Sequence, residues 1–295
     1  MSWIEREFLQ ACLLSGTPIC RIPQGLVVDE RHQIHPLTTF RQPEFIREDV
    51  TVVIPTHRQV PIGLSAWRMQ TENILILQNG TFAQELEGVR VQNVPWKGHG
   101  ATRQGAIAMI QTPYVFFTVD DAIPMSGVLS ALVTALSSGK WDAVVARQIP
   151  FPTADLRTRD DLHRWTPHAS GVYPVPQTDH VGTLYRTDDL RHHPIPDVSI
   201  AEDSHWSVGK QIACVPEAIL VHSHPRNIRG VMTREFKIHR ELIRLGGSPP
   251  LTFQEAILGG VSAIPQYGFR EGCLSTIQNL ARFAAQRVPK QPSPY

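Results

Sequence analysis

Four short clusters in this chain have the residue types and spacing to do chemistry. Asp120 and Asp121 directly follow the apolar run Tyr114-Val115-Phe116-Phe117-Thr118-Val119. Adjacent carboxylates repel each other unless a cation or hydrogen-bond donors neutralise them. Hard oxygen ligands suit Mg²⁺ or Mn²⁺, ions that commonly bridge protein carboxylates and substrate phosphates, although Asp is also a turn residue and a helix N-cap. Lys97-Gly98-His99-Gly100-Ala101-Thr102-Arg103-Gln104 is a Gly-rich turn opening a helix with cations beside it. Such a turn can hold a phosphate on its backbone N–H groups, or simply start the helix. Ala201-Glu202-Asp203 puts two acids at a helix start, where they also offset the dipole. His222-Ser223-His224 offers two imidazoles, as metal ligands or as hydrogen-bonding groups.

The elements between these clusters predict how they are held. Val50–Ile54 is a β-branched run that stops at Pro55, as a buried parallel strand does. Further runs at Ile74–Leu77 (followed by Gln78-Asn79-Gly80), Val89–Val94, Tyr114–Val119 and Ala143–Ala146 repeat the pattern. Helical spacing fills Ala101–Gln111 and Met125–Ser138. Strands alternating with helices predict an α/β fold with a mostly parallel sheet covered on both faces, and ligands beyond the carboxyl ends of its strands. Later, Pro150–Pro176 reads as loop, residues 181–186 as a strand, and Ala201–Val208 as a short helix. Ile212–Val215 and Ala218–Val221 read as two short strands, and Arg229–Leu245 and Thr252–Arg287 as helices. Residues 1–48 form an appendage for packing or oligomer contact. Trp3, Ile4, Phe8, Leu9, Leu13 and Leu14 recur there at helical spacing before a proline-interrupted stretch.

A chain of 295 residues fits one large domain with appendages, and a net charge of +1 gives no broad basic face for a nucleic-acid partner. Cys12, Cys20, Cys214 and Cys273 form no C-x-x-C pair. Charged Glu5, Arg6 and Glu7 precede any apolar run, unlike a signal peptide, and no apolar run reaches the roughly 18 residues of a membrane span. The expectation is a soluble protein in a reducing cytoplasm.

Taken in order, Val52-Val53-Ile54-Pro55-Thr56, Gln78-Asn79-Gly80-Thr81, Gly98 to Gln104 and Val115 to Pro124 resemble family 2 glycosyltransferases of the GT-A fold. Within that family the chain looks closest to the rhamnosyltransferase-like branch, which pairs a G-H-G-x-T-R-N stretch with an F-L-T-Q-D-A-x-P strand end. Ile200-Ala201-Glu202-Asp203, Val215-Pro216-Glu217-Ala218 and Val221-His222-Ser223-His224 continue the likeness, which spans roughly residues 50–245.

The resemblance implies residue roles. Asp121 matches the metal-binding aspartate, with Asp120 beside it, and His222 or His224 matches the histidine completing a Mn²⁺ or Mg²⁺ site. Asp203 matches the general base that deprotonates the acceptor hydroxyl, flanked by Glu202. Pro55, Thr56, Arg58, Gln78, Asn79, Gly100 and Arg103 match positions around the donor. Gln78 stands where the family usually carries an Asp that accepts from uracil or thymine, and an amide both accepts and donates. The implied reaction is an inverting single displacement from a nucleoside-diphosphate sugar (rhamnose or another hexose) onto a glycan, lipid-linked or other hydroxyl acceptor, in polysaccharide or glycoconjugate synthesis. A degenerate sugar-nucleotide-binding protein and a zinc hydrolase using both histidines are the alternatives. The implied organisation is an appendage at 1–48, a GT-A domain at 49–228 with nucleotide half 49–147 and acceptor half 148–228, and a helical extension at 229–295. Trp165, His163, His168 and Tyr173, in the stretch where the family builds its acceptor side, either stack on acceptor sugars or pack the loop. Arg229, Arg234, Lys237, Arg240 and Arg244 serve either peripheral attachment at the inner membrane face or a solvated helix surface.

Overall fold

A computed structural model describes residues 46–57, 60–79, 86–224, 226–244 and 250–288. It also describes three short strands, Arg21–Ile22 (β1), Leu26–Val28 (β2) and Ile34–Pro36 (β3), which pair in that order as an antiparallel sheet. The helical spacing expected between residues 3 and 14, Cys12, Cys20, Arg58, Gly80 and Thr81 lie outside the described residues.

The main sheet starts with Val50–Thr56 (β4), Ile74–Gln78 (β5), Arg90–Asn93 (β6) and Tyr114–Thr118 (β7). It continues through Ile123–Pro124 (β8), Ala143–Ile149 (β9), Tyr173–Val175 (β10), Gly182–Arg186 (β11) and Ile212–Val221 (β12). The strand order is β10-β12-β9-β11-β7-β4-β5-β6, with β8 beside β12. β6, β5, β4 and β7 are mutually parallel, and β9 and β12 run with each other. β11 is antiparallel to both β7 and β9, so those six strands share one direction and their carboxyl ends share one rim. The mostly parallel sheet expected from the sequence is therefore present, with β11, β10 and β8 reversed.

Period-two alternation sends neighbouring residues of each strand into separate cores. Val52, Ile54, Ile76 and Phe116 meet Trp67 of Leu64–Arg68 (α1) and Leu129, Leu132 and Leu136 of Val128–Ser137 (α3) on one face. Val53, Leu75, Leu77 and Phe117 meet Ala106 and Ile107 of His99–Ile107 (α2) on the other. Leu190 of Thr187–His192 (α5) and Trp206 of Glu202–Trp206 (α6) complete that second face. Each fully buried Phe, Leu or Ile stabilises by roughly 1.5–3 kcal/mol, so this two-sided burial holds the rim rigid.

Three expectations need correction. Pro150–Pro176 is not all loop: it contains the helix Leu156–Trp165 (α4) and strand β10. Asp155 caps α4 by accepting from the Thr158 N–H at 2.8 Å, and Arg157 pairs with Asp161 at 3.0 Å. Cap and ion pair stand in for a continuous apolar stripe, which is why periodicity missed it. The two short strands around Pro216 are one strand, β12, with a register shift between Val215 and Ile219. A bulge lets Pro216, which lacks an N–H, sit within the strand. Finally, after Ile228–Arg244 (α7), the stretch 252–287 is three helices: Phe253–Val261 (α8), Ile264–Tyr267 (α9) and Phe269–Arg287 (α10). Pro265 in the first turn of α9 and Gly268 at φ +87° make the two breaks. The 147/148 division falls inside β9, so both halves share one sheet. Among the described residues no helix is long and apolar enough to cross a membrane.

Candidate active site

The apolar run of β7 ends at the rim and delivers Asp120 and Asp121 there. Asp120 Oδ2 accepts from the Thr56 hydroxyl at 2.6 Å, joining the ends of β7 and β4. Asp121 turns the other way, toward the residues that follow β12. Its Oδ1 lies 3.5 Å from His222 Nε2 and its Oδ2 lies 3.3 Å from His224 Nδ1. The two imidazoles meet edge to face with centroids 4.6 Å apart. Potential ligand atoms of all three residues fall within 4.8 Å of one another. His222 is buried, and its Nε2 has no hydrogen-bond partner. Burying a polar nitrogen without a partner is costly. Its position beside Asp121 fits a ligand set for a divalent cation.

Arg103, Glu202, Asp203, His222 and His224 line one cavity of about 670 Å³. The Glu202-Asp203 pair enters it at the start of α6, immediately after Ala201, whose φ of 62° is left-handed. Glu202 Oε1 accepts from Arg103 Nη1 at 2.9 Å and from His180 Nδ1 at 2.9 Å, and the Tyr185 hydroxyl sits 2.8 Å from His180 Nε2. Burial alone would raise the Glu202 carboxyl. The His180 hydrogen bond and the Arg103 charge outweigh it and bring the group down to about 2. Asp203 goes the opposite way. Burial and, against a lowering by His180, the charges of Glu202 and Asp179 push it up to about 6. Asp203 Oδ1 accepts the short Ser204 N–H bond (2.7 Å) of its own helix start. Adjacent acids thus have separate characters: Glu202 is a fixed anion, and Asp203 can hold a proton near neutral pH.

The first amides of the Gly98–Gly100 turn are taken by backbone carbonyls. The His99 N–H donates to Ser199 O at 3.2 Å and the Gly100 N–H to Val198 O at 3.1 Å, so neither amide faces a phosphate. A Cβ on Gly100 would lie 1.9 Å from Pro196 O, so the glycine is needed for this close approach. The turn clamps the segment that leads into Asp203. Arg103 likewise serves Glu202, through a buried ion pair in the cavity wall.

The remaining donor-side candidates sit along the rim rather than in this cavity. Pro55 and Thr56 end β4 opposite Leu77 and Gln78 of β5. Gln78 and Asn79 are buried. The Asn79 N–H donates to Thr56 O at 2.9 Å and its side chain to Val94 O at 3.3 Å, leaving Asn79 Oδ1 a buried acceptor without a partner. Trp165 lines the cavity, whereas His163, His168 and Tyr173 do not.

Sequence reasoning missed Gln148, Asp179, His180 and Tyr185. Gln148 Nε2 donates to Asp179 Oδ2 at 2.7 Å, and Gln148 Oε1 lies 3.2 Å from His222 Nδ1. His180 and Asp179 immediately precede β11, whose Gly182 pairs with Thr118 of β7, which brings both to the rim. An amide at the end of an apolar strand was the only signal for Gln148, and none marked Asp179.

No protein-family model matches the chain. No curated protein matches it in sequence. Solved structures with a similar course include the mannosyltransferase PcManGT from Pyrobaculum calidifontis in complex with GDP-Man and Mn²⁺. It is 15% identical with a TM-score of 0.49, over 85% of this chain and 81% of that one. GalNAc-T7 with UDP, GalNAc and Mn²⁺ is 12% identical with a TM-score of 0.47, over 82% of this chain and 59% of that one. S. aureus TarS 1-349 in complex with UDP-GlcNAc is also 12% identical, with a TM-score of 0.45, over 80% and 71%. Likeness at this level concerns the course of the chain and says nothing of its chemistry.

Proposed function

We propose that the chain is an inverting, divalent-metal-dependent glycosyltransferase that moves a sugar from a nucleoside-diphosphate donor to an acceptor hydroxyl. The observation that carries this reading is that one cavity is lined both by the two imidazoles of a ligand set with Asp121 and by a carboxyl held near neutral pH. Asp121, His222 and His224 would hold the ion. When bound there, a divalent cation neutralises diphosphate charge and so improves the leaving group. Two imidazoles in the donor set favour Mn²⁺ over Mg²⁺, which prefers oxygen ligands and water.

The chain's own residues supply the rest. Asp203, ionised above pH 6, takes the proton of the acceptor hydroxyl as that oxygen attacks the anomeric carbon from the face opposite the leaving group. Glu202 stays ionised through Arg103 and His180, and its charge keeps Asp203 basic without competing for the proton. Thr56 fixes Asp120, and the Asn79 side chain at the rim offers an acceptor to a donor base. The wider cavity, lined by Trp165 of α4 and by Ile238 and Leu242 of α7, gives an acceptor an apolar wall. A hexose donor, a glycan or lipid-linked acceptor and work at the cytoplasmic membrane face belong to this reading.

The test is donor turnover over a panel of sugar nucleotides with Mn²⁺, Mg²⁺ or EDTA, using wild type and Asp121→Ala. Metal-dependent consumption of one donor, lost in the variant, supports the transferase. Equal turnover in EDTA, or turnover retained by Asp121→Ala, sinks it.

A further inference from the structure

We infer that Gln148 and Asp179 are positioning residues that fix the tautomer of His222, so that its Nε2 presents a lone pair beside Asp121. This rests on the metal-centre reading of Asp121, His222 and His224.

A glutamine amide can face either way, and its orientation decides what a neighbouring imidazole must do. Here the choice is forced from outside. A carboxylate only accepts, and Asp179 accepts on both oxygens: Oδ1 from the Val181 N–H at 3.0 Å, Oδ2 from Gln148 Nε2 at 2.7 Å. The amide of Gln148 therefore points its nitrogen at Asp179 and its oxygen at His222. Gln148 Oε1, 3.2 Å from His222 Nδ1, needs a hydrogen on that nitrogen. A neutral imidazole protonated at Nδ1 is bare at Nε2, the atom that lies 3.5 Å from Asp121 Oδ1 with no hydrogen-bond partner. Gln148 and His222 are both buried, so water does not relax the arrangement. Gln148 is also fixed from behind, its N–H donating to Thr166 Oγ1 at 3.2 Å and its carbonyl accepting from the same hydroxyl at 3.3 Å. Metal-binding imidazoles usually give their second nitrogen to a carboxylate or carbonyl. In this chain an amide stands between, and the carboxylate acts at one remove.

The pair can be inverted chemically. Asp179→Asn keeps an acceptor for the Val181 N–H and turns an NH₂ toward Gln148. The Gln148 amide then rotates, sets its own NH₂ against His222 Nδ1 and moves the ring proton to Nε2. Asp179→Asn/Gln148→Glu exchanges donor and acceptor across the pair. The amide introduced at position 179 would donate to one oxygen of the new carboxylate, whose other oxygen accepts from Nδ1. Two readouts apply, ¹⁵N NMR of the histidine rings in metal-free protein at pH 8 and Mn²⁺ titration followed by EPR, with thermal unfolding as the control. Wild type is expected to show His222 protonated at Nδ1. Asp179→Asn should move the proton to Nε2 and weaken Mn²⁺ binding about 10- to 100-fold, and the double variant should restore both. An unchanged tautomer in Asp179→Asn overturns the inference, as does a double variant that melts like wild type and recovers nothing. If Asp179→Asn does not fold, Gln148→Leu reads the same point, since it should leave His222 with mixed tautomers, and a pure Nδ1–H form there overturns the inference. Should wild type bind no Mn²⁺, the metal-centre reading fails by itself, and the tautomer shift still decides this one.

Discussion

Asp120-Asp121 at the end of β7 and Glu202-Asp203 at the start of α6 are both pairs of adjacent acids. In each, one member is tied back into the fold while the other faces the cavity or its ligand set. The ties differ. Asp120 is held by a neutral hydroxyl from Thr56, at a partly exposed rim. Glu202 is buried and held by a guanidinium and an imidazole. A hydroxyl fixes geometry and brings no charge of its own. In the second pair burial lifts Asp203 to about 6, while the His180 hydrogen bond and the Arg103 charge outweigh burial at Glu202 and bring it to about 2. Position is enough for a metal ligand, whereas a general base also needs its proton affinity set.

The sharpest way to break that contrast is Asp203→Asn. Turnover should fall by about 10²- to 10⁴-fold, while Mn²⁺ affinity by EPR titration stays at the wild-type value. A parallel loss of Mn²⁺ binding would mean that the two pairs are not separate in function. Next comes Arg103→Met, which leaves Glu202 buried without its cation and should cost about 3–5 kcal/mol in urea unfolding. If that variant proves as stable as wild type, the buried tie is not what holds the segment.

The two acids of the second pair should also give opposite pH signatures. Asp203 has a folded value near 6 against 3.8 for the free group, so the folded state binds its proton more tightly. Its contribution to stability is full below about pH 4 and is lost as pH rises through 6. Asp203→Asn should therefore match wild type at pH 4 and exceed it by about 2–3 kcal/mol above pH 6. Glu202, lowered from 4.5 to about 2, contributes above pH 4.5 and loses that contribution as pH falls toward 2. In wild type the acid limb of turnover should lie near pH 6, read from a rate profile at saturating donor. The smallest effect belongs to the hydroxyl tie. Thr56→Val should cost only about 1 kcal/mol in the same unfolding assay. A loss as large as that of Arg103→Met would erase the distinction between the two ties.

Much of this was legible in the amino-acid order. The runs Val50–Ile54 and Tyr114–Val119 are apolar on both faces, so their ends, and Asp121 with them, could be located from the pattern of residues alone. His222 and His224 stood out because two imidazoles flank one residue after an apolar strand. The Gly98–Gly100 turn was found, with its purpose left open between phosphate and helix start. Its glycines answer to a close backbone approach by Pro196, and nothing local tells that from an approach by phosphate. Asp179 and Gln148 were invisible for another reason. They lie 31 positions apart and meet only because β11 runs back against β7 and β9. Helix α4 was hidden because its charged sequence is stabilised by a cap and an ion pair instead of a buried stripe.

The clamp between the Gly98–Gly100 turn and residues 196–199 bears on how the molecule can move. Two backbone hydrogen bonds and a contact with no room for a methyl group join α2 to the segment carrying Glu202 and Asp203. Arg103, on α2, adds a buried ion pair to Glu202 at the far end of that segment. A hinge placed there would have to part all of these at once. Asp203 and α2 are therefore tied into one rigid unit, and any widening of the cavity falls to other parts of its wall, such as the part that α7 lines.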